Sequence, residues 1–313
     1  MVRRLAPLLL LAVAACTVAP AREAGPPTQR PTVVSLNPCT DAILAEVADP
    51  QQILAISSYS HDAEASSMDL ATARRFKAVS GSVEEVLALR PDLVVGSTFT
   101  PLASVQAMAR LGLRFEPFGM AATVAESEAQ VRQLAALAGH PERGERLVRR
   151  IEAALAANRS TGGAAIPALV WQSGGIVPGD GTLIADLLRR TGFANAAAAR
   201  GLGQADVLPL EQVLADPPRL IFAASHAAGN EDRMLAHPAL AGLKQTRRET
   251  LDPALLWCGG PTIIRAAERL GEVRRSFAAS TSSAGAGGEK ALLPQTPLSL
   301  SLSKAAARTE RPK

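Results

Sequence analysis

A segment of thirteen residues occurs twice in this chain. Residues 83–95 (VEEVLALRPDLVV) return as residues 210–222 (LEQVLADPPRLIF), with a constant offset of 127 positions (211 − 84 = 127) and six identical residues. Each copy predicts a short helix that begins near a Glu, a Pro that ends it, and a buried strand of Leu, Val, Ile or Phe. A repeat at this spacing predicts two similar lobes, and a cleft between two lobes is a common place for a ligand.

The amino terminus has the layout of an export signal. Two arginines precede an apolar run, residues 5–15, that is too short to span a bilayer. The run ends in VAAC, which matches a lipobox and predicts residues 1–16 as a signal peptide with Cys16 as the lipidated start of the mature chain. Ordinary cleavage at a small-x-small site is the alternative. Both predict a periplasmic protein, lipid-anchored in the first case, and residues 17–31 predict a Pro-rich linker.

The carboxyl terminus has low complexity. Residues 278–313 lack helical or strand periodicity and predict a disordered tail. The tail and the signal also hold the excess positive charge: the tail carries +3, the signal +2 and the whole chain +4, which leaves −1 for residues 17–277 (4 − 3 − 2 = −1). No basic stripe with interleaved aromatic residues is present, so we expect no nucleic-acid partner.

Short apolar strands alternate with helices in the remaining body, which is typical of an α/β fold with a parallel sheet. A nearly unbroken helical stretch, residues 121–160, separates an amino-terminal lobe, 32–120, from a carboxyl-terminal lobe, 165–277. We therefore predict two Rossmann-like lobes with central parallel sheets, joined by one long α-helix, with the ligand cleft between them. The predicted strands are residues 32–36, 52–56, 93–96, 114–118, 168–172 and 220–224, and the predicted helices include 41–47, 182–191 and 261–276.

Four sequence pieces, in order and spacing, carry a family resemblance. They are SLNPCTD (35–41), the first repeat copy from Glu84 to Val94, GTLI (181–184) and CGGP (258–261). Over residues 31–277 the chain resembles the helical-backbone (class III) periplasmic substrate-binding proteins of ABC importers for ferric siderophores, haem or cobalamin. The resemblance implies a monomer without enzymatic activity and without a cofactor of its own, whose ligand carries the iron or cobalt and whose partner is an ABC permease dimer.

The resemblance also implies a role for the Glu of each repeat copy. In that family each lobe presents a surface Glu to an arginine pocket of one permease subunit, and the matching residues are Glu84 and Glu211. Charge pairs of this kind set orientation and association rate more than affinity. A Glu in a first helical turn also simply complements the helix dipole. Because Glu is retained here while Glu85 becomes Gln212, we favour docking.

The ligand candidates lie in loops that follow the predicted strands, since parallel α/β sheets bind ligands at their carboxyl ends. The chain's only Tyr and both Trp are among them, and flat aromatic faces suit a tetrapyrrole or a catecholate. Burial of Trp171 in the lobe core is the alternative for that residue. His61 and His226 are candidates to ligate iron or cobalt or to hydrogen-bond the ligand, and the alternative is that they are ordinary surface residues. The full candidate set is Asn37, Cys39, Ser58, Tyr59, His61, Phe99, Trp171, Gly174, His226, Trp257 and Cys258.

Two cysteines remain once Cys16 is assigned to lipidation. Cys39 and Cys258 both lie in predicted strand-to-helix loops. In an oxidising compartment such a pair normally forms a disulfide, which is our prediction here. The alternative is that both stay reduced and one touches the metal of the ligand.

The chain lacks the motifs of the enzymes that could share this scaffold. It has no nucleophile–base motif, no phosphate-binding loop and no His-Glu-x-x-His, and its four His argue against a protein metal site. We predict an extracytoplasmic solute-binding protein that captures a metal chelate, a cobalamin-like corrinoid or a ferric siderophore, and delivers it to an ABC permease. A corrinoid is favoured because aromatic candidates outnumber clustered arginines, which anionic siderophores need. The alternatives are a haem-binding protein, a carrier of free Zn or Mn, and an exported hydrolase.

Overall fold

The structure is a computed structural model that describes residues 30–224 and 237–286. The predicted signal peptide and Cys16 lie outside the described residues. The chain divides into two compact units: unit 1 comprises residues 1–120 and 128–148, and unit 2 comprises 121–127 and 149–313. No helix in the described part of the chain combines the length and apolar character that a membrane crossing requires.

Unit 1 is built on a parallel five-stranded sheet with the order β3-β2-β1-β4-β5. Apolar side chains of the strands and of two helices form its core around Val34, Val86, Val94 and Met108. Strands of a parallel sheet are covered on both faces, which explains why they read as continuous apolar runs. The elements are β1 (Val33–Ser35), α1 (Pro38–Val47), β2 (Ile53–Ser57), a 3₁₀ helix (Ser58–His61), α2 (Leu70–Ala73), β3 (Ala78–Val79), α3 (Val83–Leu89), β4 (Leu93–Ser97), α4 (Leu102–Arg110) and β5 (Phe115–Phe118).

The predicted helical connection consists of two helices rather than one. They are α5 (Val124–Leu137) and α6 (Pro141–Ala157), and each runs from one unit into the other along the chain. The break lies at Gly139, whose φ of +80° is left-handed and ends a helix as a C-terminal glycine does. Beside it, the buried His140 lies 2.6 Å from the Gln52 side chain through its Nε2 atom.

Unit 2 contains a parallel four-stranded sheet with the order β11-β10-β6-β8 and a separate antiparallel ribbon of β7 and β9. Its core includes Leu169, Trp171, Val213 and Ile221. The elements are β6 (Ile166–Gln172), a 3₁₀ helix (Ser173–Gly175), β7 (Ile176–Val177), α7 (Leu183–Arg190), β8 (Phe193–Asn195), a second 3₁₀ helix (Ala198–Arg200), β9 (Asp206–Val207), α8 (Leu210–Ala215), β10 (Leu220–Ala224), α9 (Pro238–Ala241), β11 (Arg247–Thr250), α10 (Ala254–Trp257) and α11 (Thr262–Ala286).

The α/β prediction of two lobes with parallel sheets is confirmed, and all six predicted strands are present as β1, β2, β4, β5, β6 and β10. The predicted start of the tail is corrected, because α11 continues to Ala286. An established helix extends at little cost once nucleated, and the Ala residues after Phe277 favour that extension. The rest of the predicted tail, residues 287–313, lies outside the described residues.

Candidate functional site

Each unit has one point where the strand order reverses, and such switch points are where open α/β sheets bind ligands. In unit 1 it lies between β1 and β4, and in unit 2 between β6 and β10. The segments at the carboxyl ends of these strands are residues 36–37, 98–101 and 173–175. The segment after β10 begins with residues 225–236, which lie outside the described part of the chain and include His226.

Asn37 and Cys39 lie where β1 passes into α1. The Asn37 side-chain oxygen accepts a hydrogen bond from the Cys39 amide at 2.9 Å, which makes Asn37 the N-cap of α1, and Pro38 occupies the first helical position. Asn37 therefore shapes the helix start, whatever else it contacts. Cys258 is buried directly after α10. The proposed pairing of Cys39 with Cys258 involves both units and stays a prediction.

Tyr59 is presented by the 3₁₀ helix that follows β2. Its side chain is 63% exposed, and Ser58 beside it is also exposed. His61 closes the same turn, with its Nε2 atom 3.1 Å from the Ala73 carbonyl oxygen. That ring nitrogen is thus engaged within the unit, which argues against its use as a metal ligand.

The ends of β4 and β5 add exposed apolar side chains to unit 1. Phe99 is 73% exposed, Leu102 is 70% and Met120 is 67%. Strands β2, β4 and β5 are parallel members of one sheet, so Tyr59 and these three residues follow the same carboxyl edge. Large apolar groups exposed together in this way are typical of a binding surface.

A buried carboxyl group is hydrogen-bonded to the turn that presents Tyr59 at the carboxyl edge of the unit 1 sheet. Asp41 in α1 is fully buried, and its Oδ2 atom accepts hydrogen bonds from the Ser57 amide at 3.0 Å and the Ser60 hydroxyl at 2.7 Å. Burial raises the pKa of Asp41 to about 8, against the opposing effect of the Ser35 and Ser60 hydroxyls and the Ser57 amide. Asp41 could not be recognised from the sequence, because an Asp in a first helical turn normally signals only a helix start.

Unit 2 contains a second buried aspartate. Asp186 in α7 accepts hydrogen bonds from the Val124 amide at 3.0 Å and from the side chains of Arg189 and Arg190 at 2.5 and 2.9 Å. Burial raises the pKa of Asp186, but the amide and the two guanidinium groups outweigh it and hold the pKa below its usual range. The first turn of α5 is also held by Ser127, whose hydroxyl accepts from the Gly260 amide at 2.7 Å.

Trp171 is not a ligand-lining residue, so that prediction is wrong. Its side chain is fully buried in the unit 2 core with Leu169 and Ile221. Trp171 is the penultimate residue of β6, which is paired on both sides, by β8 and β10. A position near the end of a central strand therefore still faces the core.

Gly174 and Trp257 lie at the carboxyl ends of β6 and β11. Gly174 has a φ of +72°, a backbone conformation that favours glycine, and no atom would contact a Cβ there within 4 Å. Trp257 is 55% exposed at the end of α10. Two further exposed apolar residues, Ile176 and Val207, are paired across the β7–β9 ribbon. Neither residue could be recognised from the sequence, because two-residue strands leave no periodic signal.

The strand-end segments carry carboxylates rather than free cations. In unit 1, residues 36–37, 58–69, 80–82, 98–101 and 119–120 contain Asp62, Glu64 and Asp69 and no Lys or Arg. In unit 2, residues 173–182 and 251–261 contain only Asp180 and Asp252 as charged residues. Arg200, after β8, is committed to Asp216, with a 2.7 Å ion pair. Within residues 30–224 and 237–286, no three His, Cys, Asp or Glu side chains are grouped so that they could hold a metal ion.

The two repeat copies form equivalent helices with different supports. In α3 the Ser82 hydroxyl caps the helix by accepting from the Glu85 amide, and the Glu85 carboxylate accepts from the Ser80 amide and hydroxyl at 2.8 and 2.6 Å. These bonds lower the pKa of Glu85. The N-cap of α8 is a proline, Pro209, without a side-chain bond.

The Glu of each copy is free of these supporting contacts. Glu84 and Glu211 are both exposed in the first turn of their helices, and neither carboxylate bonds to another residue that the structure describes. The buried valines that follow, Val86 and Val213, are both fully enclosed in their cores. The repeat therefore keeps its core contacts and one exposed Glu, while the caps differ.

A family model described as "Periplasmic binding protein" matches residues 33–250. The chain belongs to this family. Its members and the structural neighbours are substrate-binding transport proteins rather than enzymes, and they bind transported ligands without a cofactor of their own. Membership also implies a periplasmic location and work with an ABC permease. A comparison with curated proteins gives no match.

Solved structures with the same fold bind several cargoes by their own descriptions. The periplasmic heme-binding protein RhuT from Roseiflexus sp. RS-1 has a TM-score of 0.62 at 21% identity, covering 80% of this chain and 98% of that one. The periplasmic vitamin B12 binding protein BtuF of Vibrio cholerae has a TM-score of 0.55 at 19% identity, covering 78% and 96%. Helicobacter pylori CeuE with Ni(II) bound has a TM-score of 0.58 at 20% identity, covering 77% and 82%. At these identities the likeness shows the fold alone.

Proposed function

We propose that this protein is the binding protein of an ABC importer for a metal chelate, and that the chelate is a corrinoid such as cobalamin. The observation that carries the proposal is the chemistry of the strand-end segments, which combine exposed aromatic and apolar side chains with carboxylates and no uncommitted Lys or Arg in the described residues. Ferric catecholate siderophores and the propionates of haem are anionic and are best recognised by guanidinium groups. A corrinoid presents a flat macrocycle and neutral amides, which suit this surface better.

Isothermal titration of the exported chain with cyanocobalamin, haem and a ferric catecholate siderophore tests the cargo. We expect one site for cyanocobalamin with a sub-micromolar Kd, roughly −8 kcal/mol or stronger. Replacing Trp257 by Ala should weaken it, while the buried Trp171→Phe serves as a control that leaves the strand-end surface intact. Binding of haem or the siderophore in place of cyanocobalamin would overturn the corrinoid assignment. A folded protein that binds none of the three would overturn the chelate class.

We further propose that Glu84 and Glu211 dock the protein on the two permease subunits. The support is that both are exposed without a partner among the described residues and are retained although the caps around them differ. In the double variant Glu84→Gln/Glu211→Gln, association with the permease of the same organism in nanodiscs should slow by about tenfold or more at low salt. Affinity for the cargo should not change. Glu85→Gln is the matched control, since this neighbouring carboxylate is bonded to Ser80, and equal slowing by it would refute the assignment.

Two covalent features complete the proposal and rest on the sequence. Cys16 is proposed as a lipid attachment site, and Cys39 with Cys258 as a disulfide. Mass spectrometry of the protein extracted from membranes checks both: Cys16 should carry the acyl modification, and the other two thiols should be alkylated only after reduction. Alkylation of Cys39 and Cys258 without a reductant would contradict the disulfide.

A further inference from the structure

The turn that presents Tyr59 has little support of its own. The 3₁₀ helix Ser58–His61 is one turn long, and the bonds near it are long: Asp62 donates to the Tyr59 carbonyl at 3.2 Å, and the Tyr59 amide donates to the Ser57 hydroxyl at 3.3 Å. Short 3₁₀ segments have poor hydrogen-bond geometry. With its side chain mostly exposed, Tyr59 adds little packing that would hold the turn in place.

The turn is held instead by hydrogen bonds to the buried side chain of Asp41. The buried carboxyl oxygen Oδ2 of Asp41 accepts from the backbone amide of Ser57, before the turn, and from the hydroxyl of Ser60, inside it. Ser57 and Ser60 are themselves buried, so neither bond competes with bulk water. At the far end of the turn the His61 ring is bonded to the Ala73 carbonyl oxygen. Tyr59 therefore lies between two anchored points.

The carboxyl group is a costly choice for a purely structural position. Asp41 is fully buried in α1 between Thr40 and Ala42, which are buried as well. Placing a carboxyl group in such surroundings costs free energy that an apolar side chain of similar size would not. What an apolar residue could not do is accept the two bonds that hold the turn.

We infer that Asp41 is a positioning residue of the ligand site: its carboxyl group fixes the Ser58–His61 turn and thereby the direction in which Tyr59 meets the cargo. The inference rests on the proposed function in so far as it assigns Tyr59 to cargo binding. Asp41 is fully buried and would act through Tyr59, unlike the exposed side chains of the same sheet edge, which could contact the cargo directly.

The chain offers a direct probe, because Tyr59 is its only tyrosine. The full chain labelled with fluorotyrosine gives one fluorine NMR signal, which reports this turn without any ligand. We expect Asp41→Leu and Ser60→Ala to shift and broaden the signal. Asp41→Asn, which keeps an oxygen able to accept both bonds, should restore the wild-type signal. Ser127→Ala is the control, because it removes another buried hydroxyl, bonded to the Gly260 amide in unit 2, and should leave the signal unchanged.

Titration with cyanocobalamin then tests the link to binding. Asp41→Leu should weaken binding by about tenfold, and this loss should largely vanish in a Tyr59→Ala background, because residues that act through one another are not additive. An unchanged fluorine signal in Asp41→Leu and Ser60→Ala would overturn the positioning role, and Ser60→Ala alone decides this if Asp41→Leu does not fold. An equal loss of affinity with and without Tyr59 would overturn the action through Tyr59. A shifted signal in a protein whose wild type does not bind cyanocobalamin would refute the corrinoid assignment and leave the positioning of Tyr59 intact.

Discussion

Asp41 and Asp186 occupy the same place in the two units and have opposite electrostatic character. Each is the fourth residue of its helix, α1 beginning at Pro38 and α7 at Leu183. Each is buried, and each accepts a hydrogen bond from a backbone amide outside its own helix. Yet burial raises the pKa of Asp41 to about 8, whereas the pKa of Asp186 lies below its usual range.

The next helical turn contributes to the difference in pKa between the two aspartates. The residues three and four positions after Asp186 are Arg189 and Arg190, both bonded to its carboxylate. The corresponding positions after Asp41 are Leu44, which is buried, and Ala45. Side chains at these spacings share a helix face, so the two arginines add to the effect of the Val124 amide in lowering the pKa of Asp186, whereas no cation lies at these positions after Asp41. The comparison teaches that a repeated architecture can keep a polar anchor while changing its charge.

The largest expected effect is a difference between Asp41 and Asp186 in how their replacement by Asn changes the free energy of unfolding at neutral pH. Asp186→Asn should lower the free energy of unfolding by about 2–3 kcal/mol, because it removes a buried carboxylate from two guanidinium groups. Asp41→Asn should instead raise it, because the wild-type carboxyl group is ionised in the unfolded chain at that pH and must take up a proton on folding, whereas the amide does not titrate. Urea unfolding of both variants measures this. Equal losses would break the comparison.

The second largest effect is a difference between Asp41 and Asp186 in how each contributes to the pH dependence of the free energy of unfolding. The pKa of Asp41 is raised from 3.8 to about 8, so its contribution is full below 3.8 and is lost as the pH rises through about 8. The stability of the wild type relative to Asp41→Asn should therefore fall by up to about 1.4 kcal/mol per pH unit between these values. For Asp186, whose pKa is lowered, the contribution is present above 3.8 and is lost only as the pH falls further.

Unfolding curves of the wild type and the two Asn variants from mildly acidic to mildly alkaline pH check this. His140, whose pKa is lowered chiefly by burial, titrates in all three proteins and cancels in the differences. A flat difference for Asp41→Asn over this range would contradict the assigned pKa.

The smallest expected effect comes from giving Asp41 in unit 1 a cationic neighbour like the one that Asp186 has in unit 2. Ala45→Arg puts a cation at the position that Arg190 occupies after Asp186, and it should lower the pKa of Asp41 and flatten its pH dependence, with a gain of about 1 kcal/mol at alkaline pH. Ala45→Gln, similar in length without the charge, is the control. A Gln variant that behaves like the Arg variant would show that charge is not the cause.

Much of the fold could be predicted from local patterns. Five of the six predicted strands are interior, and the edge strand β5 carries two Phe; the runs around Val94 and Ile221 are the clearest because a parallel sheet buries both strand faces. Strand β11 was missed because it is the edge strand of its sheet and its sequence, RRET, is polar. Edge strands can carry charged residues, so their sequences lack an apolar signal.

The site was less accessible to prediction, since burial depends on contacts far along the chain. Loop position correctly indicated the exposure of Tyr59, Phe99 and Trp257, but it failed for Trp171, which packs inside the core. Asp41 was missed because its partner Ser60 is 19 residues away and nothing local marks the pair. Local sequence indicates helix starts and strand ends, whereas bonds that join separate loops require the three-dimensional structure.

The β7–β9 ribbon is held together by backbone hydrogen bonds rather than by its side chains. It is held by backbone bonds, such as Gly179 to the Gly203 carbonyl at 2.7 Å and Leu208 to the Gly175 carbonyl at 2.9 Å, and a Cβ at Gly179 would collide with the Leu202 carbonyl oxygen. The exposed side chains of Ile176 and Val207 take no part in these bonds. A substitution at Ile176 or Val207 therefore leaves these bonds in place, whereas any side chain at Gly179 would displace the backbone that forms them.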